Sequence, residues 1–362
     1  MGLAHPPYGW RLNPGVRHTA QILADNGYTT ALVGMQHLTD RGSARDLGYS
    51  TVLPVAPAYE EADATLALLG EFRGQSAPFY LEVGFEEPHR PYDFGGAQPD
   101  ASLGVRVPGY LPEVPQARAD LAAFQGAIRQ MDTAVGRILV ALDQLELTEN
   151  TCVIFATDHG AAMPRAKCTL YDPGIEIALL WRWPSAGLGS GRVVSELVSN
   201  VDVTPTLLEG LGIQLPESTQ GHSLWPLLTG YGAYAPRSEV FAEKTFHTAY
   251  EPMRAIRTDR HKLIVNFEVS TRVDVPSDIR ESPIYPLMPS EFNSVRPPVE
   301  LYDLAEDRWE QRNLAGADGL LTLEADLRRR LLDWMRATSD PLLTGPVASP
   351  YYADAVSWLA ES

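Results

Sequence analysis

The chain has little of several things, and each shortage excludes a class of protein. Cysteine occurs only twice, at Cys152 and Cys168. That excludes the disulfide framework of a small secreted module. No apolar run approaches the ~20 residues of a membrane helix, so no membrane span is expected. Positive charge is scarce: 29 Lys and Arg stand against 46 Asp and Glu, a formal net charge of −17. A general nucleic-acid binder needs a basic footprint, and this chain has none. An anionic substrate must therefore find a local basic pocket inside an unfavourable global field. The opening MGLAHPPYGW has no apolar core, so no signal peptide is read in it, and the compartment stays unknown. There is no internal repeat and no low-complexity tract. What remains is 362 residues with 44% hydrophobic and 21% charged content, the profile of a soluble globular chain.

From residue 16 to 211 helix and strand patterns alternate. Val16–Asn26, Ala58–Phe72, Gln116–Leu145 and Thr204–Leu211 read as helices. In the third, Ile128, Met131, Val135, Ile138 and Leu142 recur at helical spacing. Tyr28–Val33, Phe79–Phe85, Val153–Ala156, Glu176–Trp181 and Val193–Ser199 read as strands. Such alternation predicts an α/β fold with a mostly parallel, doubly wound sheet. Residues 212–238 are punctuated by Gly and Pro, and the pattern then changes. Short strands at Glu239–Thr245, Met253–Thr258, Lys262–Phe267 and Glu300–Asp303, with a helix over Gly319–Thr338, predict a smaller α+β domain. The boundaries expected are 1–235 and 236–362, with a Pro-rich insertion at 272–298 in the second.

Three of the predicted strands end in chemistry. One delivers His37, one His89, and one Asp158 and His159, with Lys167 close behind. A lone His in a loop is more often a surface residue than a ligand, and a lone Asp-His is more often a turn than a metal site. Three such strand ends in succession are another matter. In an open α/β sheet those ends share one edge, where ligands bind. A carboxylate beside an imidazole suits a divalent cation. His5, His18, His222 and His261 read as ordinary loop, helix or strand residues. Trp181, Trp183, Trp225 and Trp309 read as packing, and Arg328-Arg329-Arg330 as a helix C-terminal charge cluster.

These residues resemble the type I sulfatases of the alkaline phosphatase superfamily, most closely the sulfamidase (heparan N-sulfatase) branch. Gly27-Tyr28-Thr29-Thr30-Ala31-Leu32-Val33-Gly34 with His37 is similar to the family motif G-Y-x-T-x-x-x-G-K-x-H. Pro78–Phe85 with Pro88-His89-Arg90-Pro91 resembles P-F-F-L…PHRP. Val153–Gly160 resembles the strand that ends in Asp-Asn-Gly or Asp-His-Gly. Leu170–Gly174, Asn200–Leu207, and Glu300–Asp307 with Asn313-Leu314 resemble three further family elements, in order. The resemblance implies a hydrolase that cleaves O- or N-linked sulfate from a sulfated carbohydrate. It implies that Asp158 and His159 hold a divalent cation, usually Ca²⁺, with Mg²⁺ or Mn²⁺ open. Lys167 would clasp sulfate oxygens, His89 would act as general acid, and His37 would orient the nucleophile. Arg165, Glu243 and His247 would lie on the substrate side.

Two departures from the family matter. Met35 stands where the family has a lysine, and Gln36 is the remaining donor there. The family nucleophile is a formylglycine made from the cysteine of C-x-P-S-R, and neither Cys152 nor Cys168 lies in such a motif. The resemblance thus implies a chain that starts inside the family pattern, with formylglycine, the acidic metal pair and a central strand expected only in a longer parent. On its own it is expected to lack sulfatase activity and to fold poorly. A phosphonate or phosphate ester hydrolase of the same superfamily and a non-catalytic sulfated-glycan binder remain the alternatives. Oligomeric state is not readable.

Overall fold

The computed structural model describes residues 12–13, 15–39, 41–189, 191–269 and 273–360. Its helices are α1 (Thr19–Asp25), α2 (Ala58–Arg73), α3 (Pro115–Gln144), the one-turn α4 (Asp172–Ile175), α5 (Val203–Gly210), α6 (Trp225–Thr229), the one-turn α7 (Ser277–Arg280), α8 (Leu321–Ala337) and α9 (Pro350–Ala360). Strands β1 (Thr29–Gly34), β2 (Thr51–Leu53) and β3 (Phe79–Gly84) form a parallel sheet in the order β2-β1-β3. Strand periodicity divides their side chains between two helix layers. On one face Leu68 and Phe72 of α2 pack on Ala31 and Val33. Leu69 of α2 and Ala141 and Leu142 of α3 gather Phe79, Leu81 and Val153. On the other, Ile22 and Leu23 of α1 and Leu207 and Leu208 of α5 gather Tyr80, Ile154 and Trp181. Helices therefore cover both faces, as the alternation predicts.

The parallel sheet is smaller than the sequence pattern suggests. β4 (Val153–Ala156) pairs with β5 (Leu179–Arg182), and the pairing is antiparallel. A parallel return needs a crossover, usually a helix. The link 157–178 contains only the single turn of α4, and it doubles back. Val193–Ser199 is not a strand: Val193 is 93% exposed, and among the described residues no strand pairs with this segment. β2, unread in the sequence, is only three residues long. It is too short for an alternation to register.

The second sheet, β6 (Glu239–Phe246), β7 (Tyr250–Thr258), β8 (His261–Asn266) and β9 (Val299–Asp303), is an antiparallel meander in sequence order. One face receives α8: Ile256, Leu263 and Leu301 meet Leu327, Leu331 and Met335. The opposite face carries Met253, Ala255, Ile264 and Tyr302, which close on Leu170 and Tyr171. The second sheet thus props the 160–174 loop of the first region from behind. Trp183 packs on Trp225 and Trp309 on Tyr110, so these tryptophans serve packing. Among the described residues no helix is long and apolar enough to cross a membrane.

Candidate active site

The site begins where β1 and β3 end. Both finish in glycine, Gly34 and Gly84. Met35 N donates to Gly84 O at 2.6 Å, and a Cβ on Gly84 would lie 2.0 Å from Met35 O. Gly34 has φ +89°, and its Cβ would meet Glu61 Oε1 at 2.4 Å. Only glycine permits this approach. The chain leaving β1 then runs past the end of β3 and presents His37 on an exposed turn. Gln36 does not face outward as a donor. Its Nε2 donates to Thr39 O, and its Oε1 accepts from Leu38 N and Thr39 N. The expected replacement donor is therefore folded onto its own turn.

The turn after β3 is pinned on both sides of His89. Glu87, 2% exposed, accepts from Ala58 N at 2.9 Å and from Gln130 Nε2 at 2.7 Å, binding the turn to α2 and α3. Arg90 makes a bidentate pair with Asp120 at 2.8 and 2.7 Å and lies over the Tyr92 ring. Such a fork holds its partner in both distance and angle. Between these anchors the His89 side chain is 43% exposed.

Lys167 comes from the loop after β4. Gly160 lets that loop fold tightly, since a Cβ there would lie 2.0 Å from Pro173 O. Met163 and Ala166 are fully buried in one cluster with Tyr92, Ile284 and Met288. Arg165 and Cys168 adopt left-handed backbone at φ 63° and 64°. This kink turns the Lys167 side chain, only 7% exposed, toward His89. Lys167 Nζ lies 2.9 Å from His89 Nε2.

A third member of this cluster escaped the sequence. Asp278 of α7 places Oδ2 2.7 Å from Lys167 Nζ and 3.5 Å from His89 Nε2. Burial alone would raise its carboxyl. The Lys167 hydrogen bond and charge, with His89, outweigh burial and hold it below the ordinary carboxylate range. The residue sits in the Pro-rich insertion, which carries no helix or strand periodicity to flag it. The one available signal was spacing: Asp274, Asp278 and Ser282 recur every four residues.

Asp158 and His159 form a separate pair. His159 Nδ1 lies 2.7 Å from Gly160 O, and a carbonyl only accepts, so the ring hydrogen is on Nδ1. Nε2 lies 3.5 Å from Asp158 Oδ2 on a side chain that is 85% exposed, and in the neutral ring it carries the lone pair. The pair fits a divalent cation in kind, with one carboxylate beside one imidazole nitrogen. In number it falls short of the 6–8 ligands of Ca²⁺. Among the described residues no group of three or more His, Cys, Asp or Glu could hold a metal.

The remaining predicted residues sit on the second sheet's side. Arg165, expected on the substrate side, is instead engaged with the carbonyls of Trp309 and Glu310 and lies 4.0 Å over the Tyr171 ring. Glu243 Oε2 is 3.3 Å from Arg254 Nε, and its side chain is 55% exposed. His247 is in the β6–β7 turn, next to Thr248, whose N donates to Asp274. Burial pushes both cysteine thiols up to about 12, so neither is a ready nucleophile.

Comparison with known proteins shows the family. A family model described as Sulfatase matches residues 3–213, more than half of the chain. The chain belongs to the sulfatase family. A second model, described as N-sulphoglucosamine sulphohydrolase, C-terminal, matches residues 165–284, a span that includes both Lys167 and Asp278. Human N-sulphoglucosamine sulphohydrolase is 28% identical over 91% of this chain and 76% of its own length. An ulvan-active sulfatase of Formosa agariphila is 30% identical over 65% of the chain and 41% of that protein. Among solved structures, yidJ of Bacteroides fragilis superposes with TM-score 0.72 at 21% identity, covering 92% of this chain and 80% of that one. A 2-O GAG sulfatase superposes with TM-score 0.67 at 20% identity, covering 96% and 80%. Both are too distant in sequence to speak for more than the fold.

Proposed function

We propose that the sulfatase-family site of this chain recognises the sulfate group of a sulfated sugar, O- or N-linked, through Lys167 and His89. The observation that carries the reading is the 2.9 Å contact between Lys167 Nζ and His89 Nε2 at the strand-end edge. Lys167 is balanced by Asp278, so a proton on His89 is what gives this cluster the net positive charge an anion requires in a chain of net charge −17. Lys167 has hydrogens to offer sulfate oxygens, where negative charge develops during cleavage. His89 is exposed enough to reach the atom that bridges sulfur and sugar and to protonate it as the bond breaks. His37, on the neighbouring turn, would steady the nucleophile. Asp158 and His159 would hold a divalent cation together with ligands beyond this pair, and such a cation would polarise a sulfate oxygen when bound. Glu243 and His247 would lie toward the sugar. The relatives named above, N-sulphoglucosamine sulphohydrolase and an ulvan-active sulfatase, support a carbohydrate partner.

Turnover is a separate matter from recognition. The sequence has two cysteines, both half-buried with raised thiols and neither in C-x-P-S-R. We infer that the 362-residue chain by itself binds sulfate without hydrolysing the ester. Calorimetry with inorganic sulfate and glucosamine sulfates, run beside an aryl sulfate assay, tests both parts. Saturable sulfate binding without turnover is the expected result. Robust hydrolysis by the purified chain contradicts the second part, and absence of sulfate binding contradicts the first.

A further inference from the structure

His89 Nδ1 lies 2.6 Å from the Arg90 carbonyl, so Nδ1 carries a hydrogen. In the neutral ring Nε2 then has only a lone pair, and it accepts from Lys167 Nζ. A general acid needs a proton on that same Nε2. A fixed ammonium 2.9 Å away opposes it, because like charges disfavour protonation. The carboxylates that face the ring are Asp278, 3.5 Å from Nε2, and Glu86, 3.9 Å from Nδ1. The Arg90 guanidinium is turned away to Asp120.

We propose that Asp278 is a positioning residue: the counter-ion that fixes Lys167 and lets His89 carry a proton on Nε2 beside it. The proton comes from solvent. Once it is on, Nε2 changes from acceptor to donor, so the Lys167 hydrogen that pointed at the ring is released. Lys167 keeps its bond to Asp278 and has hydrogens left for an anion's oxygens. Arming the acid and freeing the cation are then one event. Given a hydroxyl nucleophile to take the sulfuryl group, the bond from sulfur to its bridging atom would break, the electron pair would go to that atom, and the His89 proton would follow it. This last consequence rests on the sulfatase reading; the proton-loading role does not.

The segment carrying Asp278 is built to hold it in place. Three of its residues, spaced by four, each reach a charged partner. Asp274 takes Lys244 at 3.2 Å and Thr248 N at 3.2 Å. Asp278 takes Lys167 at 2.7 Å. Ser282 donates to Asp120 Oδ2 at 3.0 Å, the carboxylate that anchors Arg90 beside His89. Val275 and Ile279 pack the other side of the segment into its own apolar cluster. The same strap therefore touches the Lys167–His89 pair directly and through the residue next to His89. The carboxyl of Asp278, held below its ordinary range by Lys167 and His89, stays ionised around neutral pH.

The test is an NMR titration of the 362-residue chain with labelled histidine, the His89 signal assigned through His89→Gln. The midpoint for His89 is expected to fall by about one pH unit in Asp278→Asn. Asp278→Glu, which restores the charge, is expected to recover at least half of the shift. A purely structural role leaves the midpoint in place, so coincident midpoints overturn the proposal. Should Asp278→Asn not fold, the wild-type ring decides. Nitrogen shifts of neutral His89 must report hydrogen on Nδ1, and hydrogen on Nε2 overturns the proposal. Added inorganic sulfate separates the two readings. A variant shift with no response to sulfate supports the role of Asp278 and overturns the sulfate site.

Discussion

Lys167 and Asp278 are 111 residues apart in sequence, yet their charged atoms lie 2.7 Å apart with side chains only 7% and 11% exposed. One partner belongs to the loop after β4 and the other to the insertion between β8 and β9. The ion pair fastens the strap to the edge of the first region. Removing one partner leaves the other buried and unpaired. Lys167→Met is expected to destabilise the chain by about 3–5 kcal/mol, the usual cost of breaking a buried pair from one side. The double variant Lys167→Met, Asp278→Leu is expected to recover much of that loss. Urea unfolding of the two singles and the double measures the coupling; additive losses contradict the pairing.

The same pair sets a pH dependence at the acid end. The folded Asp278 carboxyl lies below its unfolded value of 3.8. Its contribution is therefore fully present above 3.8 and is lost as pH falls through the depressed folded value. Stability measured from pH 5 downward should decline less steeply in Asp278→Asn than in wild type. Equal slopes contradict this.

A buried carboxyl on α2 works in the opposite direction. Glu61 is 1% exposed, and burial first, with the charges of Glu87 and Glu86 adding to it, pushes its carboxyl up to about 7 despite a hydrogen bond from Ala56 N. A raised folded value means that its contribution is complete below the unfolded value of 4.5 and lost as pH rises through about 7. Glu61→Gln should therefore gain on the order of 2–3 kcal/mol over wild type at pH 8 and little at pH 4. Denaturation midpoints at the two pH values provide the check, and an equal effect at both counts against the assignment.

The loop that delivers Lys167 depends on a glycine. Gly160→Ala would put a Cβ 2.0 Å from Pro173 O, a backbone atom that cannot swing aside. The expected outcome is a loss of about 3 kcal/mol or more, with faster amide exchange over 160–174 than elsewhere. A substitution without effect on either measure shows that the loop is not held as described.

Legibility in the sequence followed local signals. Strand ends announce themselves by an apolar run that stops at a polar residue, which is why His37, His89, Asp158 and His159 could be singled out, with Lys167 close behind the last. The helix α3 declared itself by its periodicity. Pairing partners are not local, so the antiparallel return of β5 was missed, and Val193–Ser199 read as a strand because alternation says nothing about whether a neighbour exists. Gln36 looked available because its amide can donate, yet its own turn takes it up. Asp278 lay in a stretch whose prolines mask any pattern, and its role appears only when the second sheet's insertion folds back over the first. Arg165 shows the converse. The family resemblance put it on the substrate side, whereas the structure engages it with the carbonyls of Trp309 and Glu310.

The most direct measurement is a titration of inorganic sulfate into the labelled 362-residue chain, with chloride at equal ionic strength as the control. Saturable movement of the His89 ring and Lys167 side-chain signals, absent with chloride, is the result expected of a sulfate site built on these two residues. Signals that stay fixed, or that move alike with both salts, contradict it.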